Sequence, residues 1–138
     1  MQAAEPNAPA DANTMTVFIT GNELGELKPC GCSGGQLGGL DRRAAVFDRA
    51  NPKTRLIIDT GRMLEEADEQ GLTKFQILIQ AYNILGYDVI NVRRQDMLVA
   101  TNLGLLPSMK SAFSLVSIYR SDSDSIPADF SKEFALKG

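Results

Sequence analysis

Arg55-Leu56-Ile57-Ile58-Asp59-Thr60-Gly61, a helical run from about Glu69 to Leu85 closed by Gly86, and then Tyr87-Asp88-Val89-Ile90-Asn91-Val92 form the stretch from which the fold is read. The outer pieces are short, apolar and β-branched, as buried strands are. Between them Leu72, Phe75, Leu78, Ile79, Tyr82 and Leu85 form one stripe at helical spacing, and Gly86 suits the left-handed residue that ends a helix. A strand, a helix of this length and a second strand imply a right-handed crossover and a parallel pair.

The same alternation extends outward. Upstream, Met15-Thr16-Val17-Phe18-Ile19-Thr20 reads as a buried strand that ends in Gly21-Asn22. It is followed by Pro29-Cys30-Gly31-Cys32-Ser33-Gly34-Gly35-Gln36-Leu37-Gly38-Gly39, five glycines in eleven residues, a density no regular element survives. Leu40, Ala44, Phe47 and Ala50 then recur at helical spacing until Asn51-Pro52 stops them. Downstream, Gln95 to Leu103 is expected to be a short helix and Pro107 to open a further turn. Phe113 to Tyr119 is expected as a fourth strand and Phe134-Ala135-Leu136 as a fifth, with Ser121 to Ser125 a polar loop. The expected fold is α/β, a mainly parallel sheet of four to five strands flanked by helices. In such sheets function sits beyond the C-terminal strand ends, so residues 21–39, 61–63 and 93–96 should share one edge.

Composition bounds the rest. With 138 residues and 43% hydrophobic content the chain can bury one ordinary core, giving a single domain over 15–138 after a tail at 1–14. Seventeen acidic residues against 14 basic give a net charge of −3, and the only dense basic pairs are Arg42-Arg43 and Arg93-Arg94. That argues against a nucleic-acid partner, which needs a cationic face. No apolar run approaches the roughly 20 residues that span a bilayer. The small, polar tail from Gln2 to Asn13 lacks both the basic and the apolar region of a signal peptide. It reads as the segment left after such a peptide is removed, with Met1 as an added start, which places the protein outside the cytoplasm, periplasmic or secreted; a cytosolic extension is the other reading.

The order Thr20-Gly21-Asn22-Glu23-Leu24-Gly25, then Gly38-Gly39-Leu40 opening a helix, then Leu56-Ile57-Ile58-Asp59-Thr60-Gly61, then Leu85-Gly86-Tyr87-Asp88-Val89-Ile90-Asn91-Val92, resembles the N-terminal half of calcineurin-like metallophosphoesterases. It is most similar to the secreted 5′-nucleotidase branch, over about residues 15 to 100. The resemblance implies half of a metallophosphoesterase-like sandwich. In that family Asp-x-His, Gly-Asp and Gly-Asn-His at the strand ends hold two divalent metals that activate water and clamp the phosphoryl oxygens. Here Asn22 stands at the Asp position, Leu24 at its His, Arg62 at the Gly-Asp carboxylate, and Arg93, Arg94 and Gln95 at Gly, Asn and His, leaving Asp96 acidic. The chain has no histidine at all. A guanidinium is always protonated and cannot ligate a cation, so the resemblance implies a degenerate site. The family also draws later His ligands from a second half, and Gly138 arrives before any equivalent. Metal binding by this chain would fall to Glu23, Asp59, Asp96 and thiolates, and Asp59 at a strand end reads more simply as a turn-capping side chain.

Two further features carry chemistry. Arg62 with Arg93 or Arg94, beside glycine-rich backbone N–H groups, could cradle an anion, or the arginines could be solvated or paired with Glu65, Glu66 and Asp96. Cys30-Gly31-Cys32 could close a small, strained disulfide or offer two thiolates to a soft metal such as Cu(I) or Zn(II), a site needing further ligands. The glycines do not form a P-loop, because no Gly-Lys-Ser/Thr follows. The expected function is therefore non-catalytic: an exported, metallophosphoesterase-like domain serving as a binding or structural accessory subunit, with a protein partner or a second copy of itself. No cofactor is expected beyond a soft metal at Cys30 and Cys32. The alternatives are the N-terminal part of a metal-dependent phosphoesterase or 5′-nucleotidase that needs its C-terminal half, and a thiol-based soft-metal or redox module.

Overall fold

A computed structural model describes residues 14–29 and 39–117. The expected fifth strand at Phe134-Ala135-Leu136, the polar loop, the Cys30-Gly31-Cys32 turn and the N-terminal tail lie outside the described residues. The elements are β1 (Thr16–Thr20), α1 (Leu40–Phe47), β2 (Arg55–Asp59), α2 (Glu69–Leu85), β3 (Val89–Asn91), α3 (Arg94–Asn102), α4 (Leu106–Ala112) and β4 (Ser114–Val116). The four strands form one sheet in the order β1-β2-β3-β4, every neighbouring pair parallel. This is the α/β architecture that the strand and helix pattern predicts.

Local chemistry accounts for the element ends. The Asp68 side chain accepts from the Gly71 backbone N–H at 2.7 Å and caps α2, while Gly86 closes it at φ 73°, a conformation open to glycine without Cβ strain. The helix expected from Leu40 to Ala50 is regular only to Phe47; single-turn bonds from Arg49 to Val46 and from Ala50 to Phe47 carry the chain to Asn51-Pro52. Pro107 does not open a turn but sits in the first turn of α4, where its missing N–H leaves no intrahelical bond unmade.

The sheet is layered on one side. Right-handed crossovers between strands in sequential order place every connection on the same face. Register puts Phe18, Ile57, Ile90 and Leu115 on that face, and the last three join Phe75, Leu78 and Tyr82 of α2 with Met97, Ala100 and Met109 in the core. The opposite row, Val17, Ile19, Leu56, Ile58, Val89 and Val116, contributes nothing to that core cluster. Parallel sheets are ordinarily covered on both faces, and here the described helices cover one.

The expectation of a buried first strand is corrected. Val17 is 41% exposed and Ile19 69% exposed, because among the described residues β1 is an edge strand whose odd residues point away from the helices.

Candidate functional site

Beyond the strand ends the first two loops run side by side. The Thr60 N–H donates to the Thr20 carbonyl at 2.8 Å, Asn22 N–H to Gly61 at 2.8 Å, Leu24 N–H to Arg62 at 3.1 Å and Gly25 N–H to Met63 at 2.8 Å. Asn22, Leu24 and Arg62 all adopt left-handed backbone, at φ 63°, 51° and 61°. They are the only non-glycine residues to do so among those described, and a leucine there is a strained outlier. Gly61 lies so close to β3 that a Cβ would meet the Asn91 carbonyl oxygen at 2.7 Å. The third loop closes the edge. Arg93 caps α3, its backbone N–H donating to Asp96 Oδ2 at 3.0 Å.

The described part of the first loop, residues 21–29, shares one edge with residues 61–63 and 93–96, as expected, but the side chains there have different partners. Arg93 is committed: Nε donates to Asp96 Oδ2 at 3.3 Å and Nη2 to the Leu64 carbonyl at 3.0 Å. Arg62 and Arg94 are exposed, as are Asn22, Glu65 and Glu66, while Gln95 is half-buried at the start of α3. Asp96 is the acidic partner that Arg93 finds.

Beneath the loops lies a buried polar network. Asp59 is fully buried and takes three donors: Gly61 N–H on Oδ1 at 2.8 Å, and Thr20 Oγ1 at 2.9 Å and Tyr82 Oη at 2.7 Å on Oδ2. The bond from Gly61 is the turn-capping contact anticipated for Asp59. Thr20 Oγ1 also lies 2.9 Å from Tyr87 Oη, and Arg43 Nη1 donates to that Tyr87 oxygen at 2.9 Å. Arginine only donates and Thr20 gives its proton to Asp59, so the hydroxyls align in one direction, Arg43 to Tyr87 to Thr20 to Asp59. The other arm of Arg43 binds Glu23: Nη2 donates to Oε2 at 2.6 Å and lies 2.5 Å from Oε1, a close ionic contact without hydrogen-bond alignment.

Burial sets the electrostatics. It pushes the Glu23 carboxyl above its ordinary range against the pull of Arg43, and the charge of Asp59 adds to the rise. It likewise raises Asp96 against its bonds from Arg93. Tyr82 is raised by burial and by the negative charges of Asp59 and Glu23, so its hydroxyl stays protonated and remains a donor. Tyr87 is raised by burial, held back by Thr20 and Arg43.

Each carboxylate of the set Glu23, Asp59 and Asp96 is thus engaged by donors of the chain itself. A divalent cation entering there would have to displace an arginine or a buried tyrosine hydroxyl, leaving that donor unpaired. No group of three His, Cys, Asp or Glu side chains gathers at metal-binding distance among the described residues. Cys30 and Cys32 are outside those residues.

Sequence reasoning missed Thr20, Arg43, Tyr82 and Tyr87 as a unit. Their signal was weak but physical: two tyrosines five residues apart in apolar runs each carry a hydroxyl that burial obliges to find a partner.

No protein-family model matches the chain, and neither does any curated protein or solved structure. The likeness to metallophosphoesterases rests on the quoted residues.

Proposed function

We propose that the chain is a non-catalytic, exported, metallophosphoesterase-like domain that acts as a binding or structural accessory subunit. The observation that carries this reading is the triple donation to Asp59 from Gly61, Thr20 and Tyr82. The carboxylate at the second strand end is spent on holding loops together and is not presented to a metal. Asn22, Leu24 and Arg62 above it offer an amide, an alkyl chain and a guanidinium, and the last repels divalent cations. What the strand-end edge can do is bind, since exposed Arg62 would meet an anionic group on a partner. Export is supported by the small, polar composition of the first 14 residues.

The test is phosphate-ester and nucleotide hydrolysis by the purified chain with added Mn²⁺, Zn²⁺ or Mg²⁺. No turnover above the metal-only rate is expected with any of them. Metal-dependent turnover that Asp59→Asn abolishes would overturn the proposal.

The sheet face that the described helices leave uncovered favours a second reading, an N-terminal part whose remaining layer and ligands come from a missing C-terminal half. That reading expects hydrolysis to appear when such a half is supplied. The thiol-based reading expects stoichiometric soft-metal binding that Cys30→Ser abolishes.

A further inference from the structure

Among the described residues β1 is an open sheet edge, and its sequence is self-complementary. Its even residues face β2: Thr16 N–H donates to the Thr54 carbonyl at 2.8 Å, and the Thr20 carbonyl accepts from Thr60 at 2.8 Å. By the alternation of a parallel ladder, the N–H and C=O groups of Val17 and Ile19 point out of the sheet, and among the described residues β1 pairs with β2 alone. Edge strands are ordinarily protected by a charge, a proline, a bulge or a covering element. Thr16-Val17-Phe18-Ile19-Thr20 has no charge and no proline, and its register with β2 runs without a bulge.

The strand is also a chemical palindrome about Phe18: threonine, β-branched aliphatic, phenylalanine, β-branched aliphatic, threonine. We propose that a second copy of this chain adds its β1 antiparallel to β1 about a twofold axis through Phe18, making one continuous eight-stranded sheet. A twofold pairing of edges is necessarily antiparallel and places the same patch on both sides. Centred on Phe18, it sets Val17 opposite Ile19 of the partner subunit as hydrogen-bonded pairs, using the groups that point outward. It sets Phe18 opposite its own counterpart, and Thr16 opposite Thr20 of the partner subunit, as the closer non-hydrogen-bonded pairs. Every cross-strand pair then matches like chemistry, with no charge opposed in a chain of net charge −3.

The flanks suit this arrangement. A groove of about 330 Å³, lined by Phe18, Ile19, Val46 and Phe47 together with Arg42 and Arg43, opens beside the strand. The Phe18 and Phe47 rings lie 4.9 Å apart, so a second Phe18 extends an existing aromatic pair. Val46, 43% exposed, borders the same groove.

The register makes the test specific. The full-length chain is measured by light scattering and sedimentation, with far-UV circular dichroism to confirm folding, as wild type, as the pair Val17→Lys with Ile19→Lys, and as the pair Val17→Lys with Ile19→Glu. The first pair sets lysine against lysine twice across the axis and is expected to give a folded monomer. The second sets lysine against glutamate twice and is expected to restore the dimeric mass of wild type, with a salt-sensitive dissociation. A monomeric wild type up to its solubility limit, a double-lysine variant that stays dimeric, or a lysine-glutamate variant no more dimeric than the double-lysine one would each overturn the proposal. Should the double-lysine variant fail to fold, Val17→Glu with Ile19→Glu replaces it, setting glutamate against glutamate twice across the axis, with the same expectation of a monomer.

Discussion

Tyr82 and Tyr87 stack face to face, their ring centroids 4.0 Å apart and their planes 18° from parallel. The left-handed turn at Gly86 makes this possible by bringing the Tyr87 N–H back to the Tyr82 carbonyl at 3.1 Å. One helix end therefore places two hydroxyls side by side under the strand-end loops. Tyr82 reaches Asp59 directly, and Tyr87 reaches it through Thr20. The space beneath the strand-end loops is filled by phenol groups.

Removing one hydroxyl tests how much the network holds. Tyr82→Phe leaves a fully buried Asp59 oxygen short of a donor and is expected to lower unfolding free energy by about 1–3 kcal/mol. Tyr87→Phe is expected to lose less, because Thr20 keeps its bond to Asp59 and Arg43 keeps Glu23. Urea unfolding of both variants measures the order; equal losses would show that Asp59 does not depend on Tyr82.

Burial raises the Asp96 carboxyl, and the sign of its pH dependence follows. With the folded value above the unfolded one, the folded state binds more protons in between, so this group's contribution to stability is complete at low pH and is lost as pH rises through the folded value. Asp96→Asn retains an acceptor for the Arg93 N–H but does not titrate. As pH is raised from 3.8, the ordinary value for this group, the stability of Asp96→Asn relative to wild type is expected to increase. Urea midpoints across a pH series report it, and a relative decrease would mean that Arg93 outweighs burial.

Arg62 is exposed and held at φ 61°, where a Cβ is strained. Arg62→Gly is expected to raise stability by about 1 kcal/mol, since left-handed backbone costs an L residue roughly that much. A calorimetric melt measures it. A lower melting temperature would show that the guanidinium makes a stabilising contact, and so a structural role at the strand-end edge.

The longest elements were legible because their signals agree. The stripe from Leu72 to Leu85 and the glycine after it place α2 at Glu69–Leu85, and the apolar runs around Ile57 and Ile90 place two parallel strands. The exposure of β1 was not legible, because an apolar run such as Val17-Phe18-Ile19 is the same in a central strand and at an edge, and only strand order separates them. Asp59 could be read as a turn cap from its place before Thr60-Gly61, but its second oxygen is satisfied by Thr20 and Tyr82, 39 and 23 residues away. In the sequence Arg43 registers only as half of the basic pair Arg42-Arg43. Its partners Glu23 and Tyr87 are set by tertiary packing, which periodicity does not report.

Paramagnetic broadening by Mn²⁺ in a ¹⁵N-labelled Cys30→Ser, Cys32→Ser variant tests most directly whether the strand-end carboxylates are spent on the chain's own donors. The amide signals of Asn22, Glu23, Gly61, Arg62 and Asp96 are expected to broaden no more than those of exposed acidic positions such as Glu65 and Glu66. Selective, saturable broadening centred on Gly61 and Asp96, lost in Asp59→Asn, would contradict it.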